Sequence, residues 1–388
     1  MPATEHPAAF AVPDGMIEHC NDVAAASRAT LLAALAHALP DIQAAAPALD
    51  QAAAFPAADI ARLAGLGALA APVPIALGGL GLGTSPEAAL DTMELLRLLG
   101  RGNLSLGRLF EAHVNAVRLV MRTGMDSVRR KVAAEAAAGH LFGLWVTDPP
   151  TASVRIDAEG RLHGTKMPCS GAGHVDRALI TASMADGETC MLIARLDGRP
   201  RADRAGWAVH GMRAACNGRV CLDGLSGADI VGQPGDYLRQ PEFSAGAWRG
   251  SAVALGGIEA LVAELRHSLA SRDRHRDPHQ AARVGHALIA QETARAWVRR
   301  AALAAETQTD DPSDVVGVVN LARIAVEAAG LEVIQIAQRA LDLGAFREGT
   351  LAELLFRDLA TYLRQPAPDE TLTDGALRFI TRDLPPLA

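Results

Sequence analysis

The sequence predicts a mainly α-helical protein with a small β-domain set into the middle of the chain. Three observations carry this expectation. The composition leans on Ala, Leu, Arg and Glu, all strong helix formers, and only 4% of residues are aromatic, so the core should be aliphatic and helical. Between about 141 and 231 the texture changes to short apolar runs punctuated by Asp-Gly and Gly-Arg. From about 245 onward long helical patterns return. The expected division is an N-terminal helical domain over 1–138, a β-domain over 139–240 and a C-terminal helical bundle over 241–388.

The elements follow in order. Residues 1–15 carry Pro, Glu and His without apolar periodicity and read as a loose terminus. An Ala- and Leu-rich helix is expected over 24–46, ending near Pro47, and a second over 57–69, opening after Pro56. A glycine-rich loop spans 73–83. Ser85-Pro86-Glu87 has the form of a helix start, with a capping Ser, Pro in the first turn and an acid beside it. Leu90, Met93, Leu96 and Leu99 then fall on one helical face. In the middle segment, 178–182 and 190–194 read as strands joined around Asp186-Gly187, a hairpin signal, and 219–224 as a further strand and turn. Helical stretches at 245–273, 279–308, 313–343 and 350–364 suggest a four-helix bundle. Val315, Val316, Val318, Val319, Leu321 and Ile324 make the third apolar around most of its circumference, so it belongs among neighbours or in a subunit interface.

Charge and cysteine usage narrow the function classes. The net charge is −7, and the one basic run, Arg272 to Arg276, is interrupted by Asp273, so no nucleic-acid partner is expected. Five cysteines form no CxxC pair; their odd number and the lack of an apolar leader suggest reduced thiols and a cytoplasmic protein. The most apolar stretch, 63–82, is broken by Pro72, Pro74 and glycines, so no membrane span is expected there. No metal motif is present; His275 and His279 have ligand spacing only if a helix runs through Pro278.

Several segments resemble the acyl-CoA dehydrogenase family. Leu66-Gly67-Ala68-Leu69, then Pro72-Val73-Pro74 and Gly78-Gly79-Leu80-Gly81, look like its first-domain loop. Trp145-Val146-Thr147-Asp148-Pro149 is similar to its V-T-E-P strand, and Leu162-His163-Gly164-Thr165-Lys166 to its L-N-G-x-K turn. Gly211-Met212-Arg213 with Val220 and Leu222-Asp223 resembles its second β-domain signature, and Arg357-Asp358 a dipeptide of its final helix. The resemblance covers nearly the whole chain. It implies a homotetramer or homodimer holding FAD between the β-domain and the bundle, with an acyl thioester as substrate and electron-transfer flavoprotein or oxygen as acceptor. The flavin ring would lie against Trp145, Val146 and Thr147 and against Cys169 and Ser170, with the Ser170 hydroxyl near its reactive nitrogen. Arg272 stands where the family has an arginine for the cofactor pyrophosphate, a group that a guanidinium binds in a bidentate fork.

The departures from the family are as informative. The glycine turn that approaches the pyrophosphate is replaced by Pro150-Thr151-Ala152-Ser153, leaving Thr151 or Ser153 to donate a hydroxyl. The Q-I-x-G-G segment is matched only loosely by 339–344. Pro366 stands at the position of the glutamate that removes the α-proton of the thioester, preceded by Gln365. The first bundle helix, another place for that base, has no carboxylate over 244–250. Asp369 and Glu370 are the nearest acids and the candidate catalytic residues; the plainer reading makes them solvated acids of a following helix. His113 and His210 are further acid–base candidates. Three functions remain: an FAD-dependent oxidation of an acyl thioester with a relocated base, which the breadth of the resemblance favours, and as alternatives a flavin-dependent monooxygenase or oxidase and a non-catalytic paralogue serving as a partner subunit.

Overall fold

The computed structural model describes residues 14–150, 152–197, 202–205, 208–307 and 311–386, with side chains of the first helix described from residue 22. Five helices precede the strands: α1 Asp14–Gln51, α2 Ala57–Gly65, α3 Ala89–Gly102, α4 Leu104–Thr123 and α5 Asp126–Ala137. The first does not stop near Pro47 but runs through Pro40 and Pro47 to Gln51. Each internal proline costs about 3 kcal/mol in an isolated helix. Here Leu31, Leu35, Leu39, Ile42 and Ala46 are buried along one side, and that packing outweighs the lost hydrogen bonds. The stretch 22–51 is also long and apolar enough, by length and composition, to cross a membrane, although only about a quarter of that window is buried. The second helix ends at Gly65, short of the expected Leu69. At the start of α3, Pro86–Ala88 forms a 3₁₀ turn, and Leu90 is exposed while Met93, Leu96 and Leu99 are buried.

The strands form two sheets. In the larger, β2 (Arg155–Ile156), β3 (Leu162–His163), β5 (Arg177–Ser183), β6 (Thr189–Arg195) and β9 (Asp229–Val231) run in the order β3-β2-β5-β6-β9, and β1 (Phe142–Trp145) pairs in parallel with β5. The smaller has β4 (Thr165–Cys169), β8 (Gly218–Cys221) and β7 (Ala202–Asp203) in the order β4-β8-β7. β5 and β6 form the hairpin, with Arg177 opposite Arg195 and Ser183 opposite Thr189; Gly187 takes φ +87° in its turn. Both strands alternate too little to be one-sided, because residues 178–182 and 190–194 are buried on both faces.

The C-terminal helices are α6 Glu242–Ala245, α7 Ala247–Ser271, α8 Pro278–Thr307, α9 Pro312–Leu341, α10 Leu351–Tyr362 and α11 Pro368–Phe379. α9 lies among α7, α8 and α11, which explains its apolar circumference. α3 crosses α7 at a glycine pair. A Cβ on Gly256 would overlap the Arg97 carbonyl oxygen, and one on Gly100 the Val253 carbonyl oxygen. Gly256→Ala is therefore expected to destabilise the chain by about 1–3 kcal/mol or more, read as a lower urea midpoint. A midpoint equal to wild type would show that the crossing relaxes freely.

Candidate active site

β1 delivers the chain to an edge held firmly from beneath. Trp145 is 1% exposed, and its indole Nε1 donates to the Ser170 carbonyl oxygen at 2.9 Å. Its side chain therefore supports the turn after β4 and presents no surface of its own. Val146 is half-buried and Thr147 exposed; the Met167 amide donates to Thr147 O at 3.0 Å, which joins this edge to β4. The Thr147 amide donates to no carbonyl of the described residues. Lys166 lies fully buried below, with Nζ 2.7 Å from Asp148 Oδ1 and 2.9 Å from Thr181 Oγ1. Burial lowers the Lys166 pKa, and Asp148 opposes it. Thr181 Oγ1 in turn donates to Val146 O at 3.2 Å, so residues 146–148 are fixed on three sides.

The Ser170 hydroxyl donates to Asn217 Oδ1 at 2.8 Å. Cys169 beside it is wholly buried, and burial drives its thiol far above the ordinary range, so it is a neutral packing group. The turn after β1 is compact: Asp148 Oδ1 accepts from the Val154 amide at 3.3 Å, and Ser153 is exposed. Thr151 lies outside the described residues. Arg272 is exposed at the end of α7, with its Nη2 3.2 Å from where a Cβ on Gly344 would stand. It meets the 342–346 segment, and no described contact joins it to Thr147 or Ser170.

A small cleft of about 90 Å³ opens between α4, α7, α9 and α10. Arg108, Glu111, Gly250, Ser251, Tyr362 and Gln365 line it, with Arg323 and Glu327 on the α9 side. Glu111 is 6% exposed; Arg108 Nη1 and Asn115 Nδ2 each donate to one of its carboxylate oxygens. A continuous polar network runs inward from there. Arg249 donates to Asn115 Oδ1 at 2.8 Å and to Glu306 Oε1 at 2.6 Å, and Trp248 Nε1 to the same oxygen at 3.0 Å. Arg118 bonds the other Glu306 oxygen and reaches Glu242 at 3.1 Å.

His113 is not an acid–base group of this cleft. Its Nε2 faces Leu69 O at 2.8 Å, while its Nδ1 accepts from the Phe142 amide at 3.1 Å. Burial lowers its pKa to about 4, so the ring stays neutral and ties α4 to β1. His210 is exposed, and its carbonyl accepts from Arg357 at 2.9 Å.

Sequences described as the N-terminal domain of acyl-CoA dehydrogenase match residues 28–140. Butyryl-CoA dehydrogenase from Megasphaera elsdenii superposes with a TM-score of 0.78 at 15% identity, over 96% of this chain and 100% of that one. The chain has the acyl-CoA dehydrogenase fold. FMN-bound TdsC from Paenibacillus sp. A11-2, a dibenzothiophene monooxygenase, is similar with a TM-score of 0.80 at 18% identity, over 92% of this chain and 99% of that one. KijD3 in complex with FMN and a dTDP-amino-keto sugar is similar at 0.76 and 20%, over 93% and 95%. No curated protein matches the sequence.

In this acyl-CoA dehydrogenase fold the Arg357-Asp358 dipeptide is a lock between all three parts. Arg357 pairs with Asp50 at 2.7 Å, as does Arg213 at 2.5 Å, and the Met212 amide donates to Asp358 Oδ1 at 2.6 Å. Burial alone would raise the Asp50 pKa, but Arg213 and Arg357 more than offset it and hold it below the ordinary range. Past the lock, the wall that carries the glutamate in acyl-CoA dehydrogenases is rebuilt. Pro366 is exposed, its carbonyl accepts from Arg323, and Gln365 Nε2 folds back onto Tyr362 O at 2.8 Å. Asp369 and Glu370 do not enter the cleft: both are exposed in the first turn of α11, where Pro368 opens the helix and acids suit the helix dipole. Two acids that the sequence did not single out line the cleft, Glu327 of α9 and the more deeply buried Glu111 of α4. The signal for Glu111 was present, a polar stripe of Arg108, Glu111, Asn115, Arg118 and Arg122 along one line of an otherwise apolar helix.

Proposed function

We propose that this chain is a flavin-dependent oxidoreductase of the monooxygenase type, oxygenating a small polar substrate, and not an acyl thioester desaturase. The observation that carries the reading is the wall at 362–368: it presents Tyr362 and an exposed Gln365 folded back onto Tyr362 O, with no carboxylate of its own to take an α-proton. Of the two acids that line the cleft, Glu111 is engaged on both oxygens by Arg108 and Asn115, and Glu327 is paired with Arg364 at 2.9 Å. The FMN-bound monooxygenase and the FMN complex of KijD3 on the same fold agree with this reading.

The residues present fit a flavin. Thr147 offers an exposed hydroxyl and an unengaged amide to the polar edge of the ring, and Trp145, Lys166 and Asp148 hold that edge rigid. A bound reduced flavin would supply the two electrons that, with dioxygen and two protons, yield one substrate oxygen and water. Oxygen is then the acceptor in place of an electron-transfer flavoprotein. Because the turn at 149–153 has no glycine for close approach to a pyrophosphate, FMN is the cofactor we assign in place of FAD. Homo-oligomeric assembly belongs to the same proposal: Leu343 is 87% and Phe346 61% exposed beside Arg272, apolar surface for a second copy to cover. So does a reducing, cytoplasmic setting, with Cys169, Cys190, Cys216 and Cys221 all free thiols.

The test is direct. Protein incubated with FMN and FAD should retain FMN on desalting, identified by chromatography of the released flavin. With NADH and a flavin reductase it should consume oxygen, and anaerobic butyryl-CoA or octanoyl-CoA should not bleach the oxidised flavin. Bleaching by an acyl-CoA would overturn the monooxygenase reading, and a colourless protein that retains neither flavin would favour the partner-subunit role.

A further inference from the structure

We infer that the cleft recognises its substrate through an acceptor oxygen, a carbonyl or carboxylate, held between the Tyr362 hydroxyl and the free edge of the Arg108 guanidinium. The inference rests on the monooxygenase reading only in calling the bound molecule a substrate. Its evidence is the distribution of unused hydrogen-bonding groups. Tyr362 stands at the last turn of α10 and is 6% exposed, and its hydroxyl has no partner among the described residues. An unengaged hydroxyl at a cleft wall offers a ligand a hydrogen bond that the fold itself does not use. The opposing wall leaves room for one. Gly250 of α7 faces the phenol, and a Cβ there would stand 3.5 Å from Tyr362 Oη.

The protonation states make this hydroxyl a donor. Burial pushes the Tyr362 phenol far above its ordinary range, with Glu111 adding to the effect and Arg108 opposing it. Burial works against the Arg108 charge, but the Glu111 carboxylate beside it offsets this and keeps the guanidinium charged. Arg108 spends only Nη1 on Glu111; its Nε and Nη2 have no partner among the described residues. The acid nearest these two donors is in use, since Glu111 has a donor on each oxygen, while across the cleft Glu327 accepts from Arg364 through Oε1 at 2.9 Å. What the Tyr362 and Arg108 end of the cleft has to spare is two kinds of donor, one neutral and one cationic, and the ligand feature complementary to that end is an oxygen acceptor. Glu111 orients Arg108 for this task, and Asn115 and Arg249 hold Glu111 in turn.

Three ligands of one ring size separate the chemistry: benzoate carries a carboxylate, benzamide a neutral carbonyl and toluene no acceptor. Binding to the full chain loaded with FMN would be followed by saturation-transfer NMR with titration. Benzoate or benzamide should bind at least about tenfold tighter than toluene, the equivalent of one good hydrogen bond. Tyr362→Phe keeps the ring and removes only the hydroxyl; it should weaken the preferred ligand about tenfold and leave toluene unchanged. Arg108→Lys keeps the charge without the fork, and should weaken benzoate less than benzamide if the carboxylate is the natural group, or both equally if the carbonyl is. Toluene binding as tightly as the other two, an unaltered Tyr362→Phe affinity, or no binding of any probe would each overturn the inference. Oxygen uptake with reduced flavin is recorded on the same samples. Uptake without acceptor preference sinks this inference alone, whereas acceptor-selective binding without uptake sinks only the monooxygenase reading.

Discussion

Glu306→Ala should destabilise the chain by about 3–5 kcal/mol, the range for removing one partner of a buried ion pair. Glu306 is 3% exposed and accepts from Trp248, Arg249 and Arg118, so its loss leaves two buried guanidinium groups with reduced compensation. Arg249 is already short of partners, with a buried, unengaged Nε. The loss should also spread to the cleft, because Arg249 holds Asn115 and Asn115 holds Glu111. Glu306→Gln keeps the shape and one acceptor and should fall between wild type and the alanine variant. Urea unfolding of the three proteins measures this; an alanine variant within about 1 kcal/mol of wild type would mean that water replaces the carboxylate at little cost.

The second large effect is a pH dependence centred on Asp358. Burial, with Asp50 adding to it, raises its pKa to about 7 against the Met212 amide and the Arg357 and Arg213 charges. In the unfolded chain the carboxyl returns to its ordinary value of 3.8. Between those two values the folded state binds the extra proton, so stability is full below about pH 4 and falls as pH rises to about 7, by about 4 kcal/mol in all. Asp358→Asn keeps an acceptor for the Met212 amide and removes the ionisation. It should be more stable than wild type at pH 8 and show a flatter profile between pH 4 and 7. Parallel profiles for the two proteins would show that Asp358 ionises freely in the fold. His113 works in the opposite direction: its folded pKa of about 4 lies below the ordinary 6.5, so it withdraws stability as the pH falls from about 6.5 to about 4.

The contrast between helix α9 and the wall at 362–368 shows what a sequence discloses. The apolar circumference of α9 is a local pattern, and a helix of that kind has only one place to go. The hairpin at Asp186-Gly187 is local in the same way. Trp145 and Cys169 have no such local sign. Both side chains are buried and support the edge from beneath, a role that depends on Ser170 and on the strands around them. Glu111 shows the reverse, a group whose helical stripe was readable but whose meaning depended on Tyr362, 251 positions away in the chain. Asp369 and Glu370 were close to the right place in sequence, and a single turn opened by Pro368 put them outside.

By itself the sequence determined the order of helices, strands and bundle, the departure at Pro366, and the residues that shape the edge from Trp145 to Asp148. These follow from periodicity, turn chemistry and short motifs, which act over a few residues. Only the tertiary structure decided which acids line the cleft, that the Arg357-Asp358 pair locks three parts together, and that Tyr362 and Arg108 bring unengaged donors to the cleft wall. Those properties depend on burial and on partners far apart in the chain, such as Arg118 with Glu306 and Arg357 with Asp50. Desolvation and charge pairing act through space, so no local pattern records them.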